Sequence, residues 1–318
     1  MAEFGFSISS EEFGPQAMVD IARQAERSGF EFVMVSDHFH PWVSAQGESP
    51  FIWSVIGGIA AATERIGLGT AVTCPIIRTH PAIIAHAAAT SAAMMSGRFF
   101  LGVGTGENLN EHILGDPWPE IDVRLDMLAE AIDVMRTLWE GGYKSYYGQF
   151  YTVENARLYT LPDEPPPIVV AAAGQKAAEL AAQVGDGVMS TSPSADVIDA
   201  FNSNGNGARP KYIQIKVCYG EDEAKARKLA HELWPTTAMP GQLGQETATP
   251  FLFESIAELV TEDMVAEKVV CGPDVERHAE NIQQALDAGF DHIAIAQIGP
   301  EQEQAMTFYQ EKVLPRFQ

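Results

Sequence analysis

Short apolar runs alternate along this chain with longer segments in which apolar residues recur every three to four positions. The short runs are rich in β-branched and aromatic residues and predict eight strands, at residues 4–8, 30–35, 66–72, 99–103, 168–172, 187–190, 212–218 and 292–296. The intervening segments predict amphipathic helices, such as the one with Met18, Ile21 and Ala25 on one face. Eight strand–helix units predict an α/β fold, a single (β/α)8 TIM barrel over residues 1–318.

Two segments break this repeat and are predicted to be insertions. Residues 143–159 alternate aromatic and polar side chains around Gly148, which predicts a hairpin before the fifth strand. Residues 236–249 are rich in Pro, Gly, Gln and Thr and predict a long loop. No stretch of linker-like composition separates two halves of the chain, so we expect one domain.

The charge balance argues against several classes of partner. The chain has 43 acidic and 20 basic residues, a net charge of −23, which repels nucleic acid and anionic lipid. Its apolar stretches are too short or too interrupted to span a membrane, no signal-peptide pattern is present, and its 3 cysteines lack Cys-x-x-Cys spacing. We therefore expect a cytoplasmic protein without nucleic-acid or membrane partners. The acidic excess, spread along the chain, also favours a surface suited to high salt.

The end of the second predicted strand carries the densest chemistry. Asp37, His38, His40 and Trp42 follow directly on the apolar run, and the carboxyl ends of parallel strands form the mouth where barrels place their active sites. A His-x-His pair could bind a metal together with histidines of strands five and six. None of the 8 histidines lies there, so no metal is expected. A general base and a packed histidine remain, and the position of His38 favours the base.

Small residues follow the later strands. Gly104 and Gly106 belong to a Gly-x-Gly-x-Gly run that would let the backbone approach a planar or phosphorylated ligand. Glu107 follows, and in the same mouth as His38 it would form an acid–base pair, the alternative being a turn with a solvated carboxylate. Small residues and hydroxyls that suit a phosphate group end strands five and six, at Ala172, Ala173, Gly174, Thr191 and Ser192. Lys216 is the lysine expected to face the mouth.

In this order the motifs resemble the bacterial luciferase-like superfamily of flavin and deazaflavin barrels, specifically the branch of coenzyme F420-dependent glucose-6-phosphate dehydrogenase. The resemblance covers nearly the full length. It rests on residues 10–15 (Ser-Glu-Glu-Phe-Gly-Pro), 36–39 (Ser-Asp-His-Phe) with Pro41 and Trp42, 68–70 (Leu-Gly-Thr), 100–107 with 109–111, and 289–292 (Gly-Phe-Asp-His).

The resemblance implies coenzyme F420 as the cofactor and hydride transfer to its deazaflavin. His38 would remove the hydroxyl proton, Glu107 would donate the proton that completes cofactor reduction, and Trp42 and Glu11 would line the substrate side. The peptide between Ala71 and Val72 is expected to be cis. The residues expected to cradle the deazaflavin are Asp37, Ala71, Val72, Gly104, Thr105, Gly106, Asn110, Ala172, Ala173, Gly174, Thr191 and Ser192.

The resemblance leaves the substrate open. Glucose 6-phosphate, oxidised to 6-phosphogluconolactone, is the leading candidate. The branch binds the sugar phosphate with basic residues, however, and here Lys216 matches, with Lys268 as a further candidate. Another sugar phosphate or a secondary alcohol comes next. An FMN-dependent monooxygenase and a non-catalytic deazaflavin-binding protein are the rival functions, and a homodimer is the expected assembly.

Overall fold

A computed structural model describes residues 2–203 and 205–317, and eight parallel strands form its centre. The strands are β1 (Glu3–Ile8), β2 (Phe32–Val35), β3 (Gly67–Thr70), β4 (Phe99–Val103), β7 (Ile168–Ala171), β8 (Gly187–Ser190), β9 (Lys211–Cys218) and β11 (His292–Gln297). They pair in the order β11–β1–β2–β3–β4–β7–β8–β9, and β9 pairs back with β11. The sheet therefore closes on itself, which confirms the predicted (β/α)8 barrel.

The strands lie where the hydrophobic pattern predicts them, with small shifts at their ends. β2 begins at Phe32 because the N–H of Phe30 still donates to Ala25 at the end of the first helix. β3 ends directly before the peptide between Ala71 and Val72, which is cis as expected. A further strand, β10 (Val270–Cys271), pairs with the end of β9. Its two residues are too few to form a pattern, so the sequence did not predict it.

Helices surround the barrel and bury their apolar faces against it. They are α1 (Pro15–Arg27), α2 (Ile52–Ala62), α3 (Pro81–Met94), α5 (Ile121–Trp139), α6 (Gln175–Val184), α7 (Ala195–Asn202), α8 (Glu223–Leu233) and α12 (Val275–Asp287). The chain ends in α13 (Gln302–Phe308), a π-helical turn (Tyr309–Val313) and a 3-10 turn (Leu314–Arg316). Within the described residues, none of the helices is long and apolar enough to cross a membrane.

The interior of the barrel is filled by aromatic rings. Phe32 packs edge-on against Tyr212 with ring centroids 5.4 Å apart, and Phe100 stacks on Tyr212 at 4.8 Å. Glycines make room for these rings, since a Cβ on Gly69 would lie 2.0 Å from the ring of Phe100, and one on Gly5 would lie 2.4 Å from that of Phe32. Because side chains occupy the interior, a ligand must be received at a rim.

Two insertions interrupt the strand–helix repeat, as predicted. The first is an antiparallel hairpin of β5 (Lys144–Tyr147) and β6 (Thr152–Ala156). The second lies between α8 and β10 and contains a 3-10 turn (Pro235–Ala238), α9 (Leu243–Glu246), α10 (Pro250–Ala257) and α11 (Glu262–Ala266). The predicted loop at residues 236–249 is thus partly helical. It contacts the short helix α4 (Asn108–Glu111) that follows β4, and so it lies beside the mouth.

Candidate active site

His38 lies directly after β2 at the carboxyl rim of the barrel, and it is buried. Two groups approach its Nδ1, the carbonyl oxygen of His40 at 3.0 Å and the amide nitrogen of Asn110 at 3.2 Å. Nε2 is 3.5 Å from Glu11 Oε1, and the ring packs against Trp42 at 5.1 Å. The arrangement suits a general base.

Asn110, in α4, links this base to Glu107. The Asn110 side-chain oxygen accepts from the backbone N–H groups of Phe39 and His40, which turns its amide nitrogen toward the other two side chains. That nitrogen is 3.2 Å from His38 Nδ1 and 3.4 Å from Glu107 Oε2. Glu107 is half-buried at the start of α4. The structure therefore brings the predicted acid and base into one mouth, on either side of one amide.

Glu11, in the loop after β1, is a buried carboxylate with several donors. Its Oε2 accepts from the hydroxyls of Ser36 at 2.5 Å and Ser9 at 2.9 Å, and its Oε1 accepts from Trp42 Nε1 at 3.2 Å. Burial alone would raise the pKa of Glu11, but attraction to His38 and these hydroxyl hydrogen bonds hold it below its ordinary value. Glu11 is therefore an ionised carboxylate beside the ring of His38.

A buried charge cluster holds Asp37, the residue before the candidate base, and two of its members, Arg78 and Glu111, were not predicted from the sequence. Asp37 accepts from Thr73 Oγ1 at 2.8 Å and from Arg78 Nη2 at 2.8 Å. The Arg78 Nε lies 3.4 Å from Glu111 Oε1, and the Arg78 N–H donates to Glu111 Oε2 at 2.7 Å. Burial raises the pKa of Glu111 to about 7 although Arg78 lowers it. The sequence did contain a signal for Arg78, because it is the one lysine or arginine between β3 and α3.

The glycine run after β4 has a packing role within the protein, beyond the ligand approach expected from the sequence. A Cβ on Gly102 would lie 1.9 Å from the last carbonyl oxygen of β3. One on Gly104 would lie 2.7 Å from the side chain of Val72, and one on Gly106 would lie 2.5 Å from Cys74 Sγ. Gly106 also has a φ of 72°, a conformation that favours glycine. The three glycines thus pack on the end of β3 and on the segment that follows it. Thr105, between the last two glycines, is half-buried.

The opposite side of the mouth is open and carries small residues and hydroxyls. Ala172 is buried in the barrel wall, whereas Ala173 and Gly174 are exposed. Gly174 precedes α6, no side chain caps that helix, and a Cβ on Gly174 would meet nothing within 4 Å. Thr191 and Ser192 are exposed after β8. A helix start of this kind, with two hydroxyls beside it, suits the anionic part of a cofactor.

Lys216 does face the mouth, but it has acidic and aromatic neighbours there. Its Nζ lies 4.3 Å from the centroid of the Trp234 ring. Burial lowers the pKa of Lys216, and attraction to the carboxylates of Glu11 and Glu12 opposes that shift. Glu12 accepts from Trp234 Nε1 at 2.6 Å and from the N–H of Gly299 at 2.8 Å. Burial raises the pKa of Glu12 to about 7 in spite of these two hydrogen bonds.

The second insertion covers the side of the mouth that Trp42 lines. Phe253 of α10 is fully buried and packs edge-on against Trp42, with ring centroids 5.2 Å apart. The Glu254 carboxylate accepts from the N–H of Ser44 at 2.8 Å, and the carbonyl oxygen of Glu246 accepts from the Asn108 side chain at 3.0 Å. The insertion is thus tied to the loops after β2 and β4, which carry the candidate base and acid. No sequence pattern pointed to Phe253.

A family model for luciferase-like monooxygenases matches residues 1–292 of this chain. Among relatives, the chain is 34% identical to the F420-dependent glucose-6-phosphate dehydrogenase of Microbacterium testaceum, over 98% of this chain and 96% of the relative. It is also 34% identical to the protein of that name from Nocardia farcinica, over 99% of this chain and 97% of the relative.

Solved structures share the same barrel. An F420-dependent secondary alcohol dehydrogenase in complex with an F420-acetone adduct superposes with a TM-score of 0.90 at 30% sequence identity, covering 98% of each chain. The coenzyme F420-dependent tetrahydromethanopterin reductase of Methanopyrus kandleri superposes with a TM-score of 0.80 at 21% identity, covering 100% of this chain and 99% of the other. At that identity the second likeness shows the fold alone.

Proposed function

The chain belongs to the luciferase-like monooxygenase family, and we propose that it is a coenzyme F420-dependent dehydrogenase that oxidises the carbinol carbon of an alcohol or sugar hemiacetal. The observation that carries the proposal is the placement of a buried imidazole and a carboxyl group on either side of Asn110, with contacts of 3.2 Å and 3.4 Å. Relatives and a structural neighbour named for F420-dependent dehydrogenation support the same chemistry.

The residues at the mouth fit a cofactor with a flat ring and an anionic tail. The residues around the cis peptide and the glycine run would lie against the ring, and the start of α6 with Thr191 and Ser192 would hold the tail. Asp37 would act mainly by keeping the loop after β2 in place, since Thr73 and Arg78 already bind its carboxylate.

Bound coenzyme F420 would supply a hydride acceptor. His38 Nε2 would take the hydroxyl proton of the substrate as the C–H bond breaks, and Glu11 would stabilise the imidazolium that forms. Glu107 would hold the proton that completes the reaction on the other side of Asn110. Trp42 would limit the space beside His38 and exclude water there.

The leading substrate candidate is glucose 6-phosphate, which would give 6-phosphogluconolactone, and the names of the relatives support it. A secondary alcohol is the second candidate. It is favoured by the surroundings of Lys216, because an ammonium group near two carboxylates attracts a phosphate less than an unpaired one does. Lys268, exposed in the turn before β10, remains available to a phosphate.

The test is the loss of oxidised F420 absorbance on mixing with glucose 6-phosphate, other sugar phosphates and secondary alcohols, at low and high salt. We expect turnover with at least one of them, and a fall in kcat of about 10²–10⁴-fold in His38→Ala. Glu280→Gln, at an exposed position on α12, is the control. Tight F420 binding without turnover would favour a non-catalytic binding protein, and a tightly bound FMN would favour a monooxygenase.

We further propose that the protein acts in the cytoplasm as a homodimer, without nucleic-acid or membrane partners. The net charge of −23 supports the absence of polyanionic partners. Exposed apolar side chains on α3, Ile83 and Met94, support an interface there. Light scattering after size exclusion tests the dimer, and a monomeric mass across the micromolar range would contradict it.

A further inference from the structure

Arg124, at the start of α5, is a fully buried cation that the reaction proposed above does not use. Its side chain is 0% exposed, and its Nη2 donates to Glu246 Oε1 at 2.9 Å. Among the described residues, neither its Nε nor its Nη1 has an acceptor. Buried donors in folded proteins nearly always have an acceptor, so this guanidinium has hydrogen-bonding capacity that Glu246 does not use.

The surroundings of Arg124 favour an anion. Its Cζ lies 4.2 Å from the centroid of the Trp118 ring. A guanidinium stacked on an aromatic ring is preorganised to bind a carboxylate or a phosphate with two nitrogens at once. The start of a helix also attracts negative charge, and the N-cap residue of α5, Glu120, makes no side-chain hydrogen bond to the helix. Within the described chain, the indole N–H of Trp118 is a further buried donor without a partner.

Glu246 fills this anion position, and it belongs to the second insertion. Its side chain is 46% exposed whereas Arg124 is fully buried, so an anion from solvent would reach the guanidinium by replacing this carboxylate. The carbonyl oxygen of Glu246 accepts from the Asn108 side chain at 3.0 Å. Asn108 begins α4 directly after the candidate acid Glu107, which puts the ion pair at the edge of the mouth.

We propose that Arg124 is an anion-binding residue at the edge of the mouth, and that a phosphate or carboxylate group of a ligand displaces Glu246 from it. The ligand anion takes two nitrogens of the guanidinium where Glu246 takes one, and the Glu246 carboxylate returns to water. α9 (Leu243–Glu246) then loses its ion pair with α5, so the insertion is released at this point as the ligand binds.

Two ligand groups have this chemistry, and naming them rests on the proposed function. One is the acidic tail of the cofactor, proposed above to lie at the start of α6. Lys176 at that helix start pairs with Asp122 of α5 at 2.7 Å, so the starts of α5 and α6 are neighbours. The other is a substrate phosphate, which would approach from the mouth past Asn108.

Inorganic phosphate is the probe, and the cofactor-free full-length protein is titrated with it in a calorimeter at an ionic strength kept constant with KCl. Glu246→Gln removes the internal competitor and should bind phosphate about tenfold more tightly than the unmodified protein. Arg124→Met, combined with Glu246→Gln, should abolish the gain. Arg124→Lys in the same background should reduce it, because lysine lacks the two-nitrogen geometry, and this variant carries the test if Arg124→Met fails to fold.

The matched control lies in the same insertion. Glu258→Gln, at an exposed position directly after α10, changes the net charge equally and should leave phosphate binding unchanged. Hydrogen exchange gives a second readout, since saturating phosphate should speed the exchange of the α9 amides in the unmodified protein. Equal phosphate affinity of Glu246→Gln and the unmodified protein would overturn the inference. So would α9 amides that exchange no faster with phosphate bound.

Paired ligands identify the source of the anion. Glucose 6-phosphate and glucose differ in the substrate phosphate, and coenzyme F420 and a deazaflavin without the acidic tail differ in the cofactor anion. The anionic member of one pair, and not its partner, should bind more tightly to Glu246→Gln than to the unmodified protein. No such gain in either pair would make phosphate an adventitious ion only and overturn the inference. Phosphate binding in a protein without F420-dependent turnover would instead refute the proposed function and leave the anion site standing.

Discussion

Replacing Arg78 with methionine would test whether buried charges hold the mouth together. The substitution removes the donor 2.8 Å from Asp37 and the cation 3.4 Å from Glu111, and those residues are only 6% and 1% exposed. Removing one partner of a buried ion pair costs about 3–5 kcal/mol, because the remaining charge has no compensation. Arg78→Met should therefore lower the free energy of unfolding by about that amount.

The loss of stability caused by Arg78→Met should increase as the pH rises. The pKa of Glu111 is raised to about 7 in the folded protein, so its contribution to stability declines as pH rises from the unfolded value of 4.5 through 7. Without Arg78, which lowers that pKa, the decline should continue above pH 7. Each further unit by which the pKa of Glu111 rises corresponds to about 1.4 kcal/mol. Arg78→Met should thus be less stable relative to the parent at pH 8 than at pH 6, by about 1 kcal/mol.

Guanidinium unfolding followed by circular dichroism at pH 6 and pH 8 measures both quantities. Arg136→Met, which breaks an exposed pair with Asp186, is the matched control and should change the midpoint little. A loss for Arg78→Met below about 1 kcal/mol at both pH values would refute the reasoning, as the buried pairs would then contribute no more than exposed ones.

Three further predictions follow from packing and charge. Gly102→Ala should destabilise the protein by about 3 kcal/mol, because the new Cβ would lie 1.9 Å from a carbonyl oxygen, whereas Gly57→Ala in α2, where nothing lies within 4 Å, should be neutral or stabilising in thermal melts. Phe253→Ala should raise KM more than it lowers kcat in steady-state assays, because it unpacks the insertion from Trp42. With a net charge of −23, the melting temperature should rise with added KCl, and a melting temperature indifferent to salt would contradict the interpretation of the acidic surface.

The barrel could be predicted because its two kinds of element have different hydrophobic patterns. Parallel strands buried on both faces are continuous apolar runs, whereas the helices between them have apolar residues every three to four positions. The insertion between α8 and β10 could not be predicted in the same way. Its one-turn helix α9 (Leu243–Glu246) and the two-residue strand β10 (Val270–Cys271) that follows it are too short to repeat a hydrophobic period. Their conformations depend on contacts with α4 and β9, which are distant in sequence.

In the candidate site, too, some residues could be predicted from the sequence and others could not. His38 and Glu107 could be found because each directly follows a predicted strand, and the ends of strands meet at one rim. Arg78 and Glu12 were missed because their roles come from partners on other loops, Asp37 in one case and Trp234 in the other. Such pairings leave no periodic signal in the chain.

On the proposed function, this difference separates the residues that would serve the reaction from those that would select the substrate. The candidate base, the candidate acid and the amide between them are held by the loops after β2 and β4, and hydrogen bonds between these loops fix their geometry. The side expected to receive the substrate is completed by the second insertion, which reaches the site through Phe253 on Trp42 and through Trp234 on Lys216. Since these contacts are made to side chains beside the candidate base and not to the base itself, we expect changes in the insertion to alter the substrate while the proton chemistry stays the same.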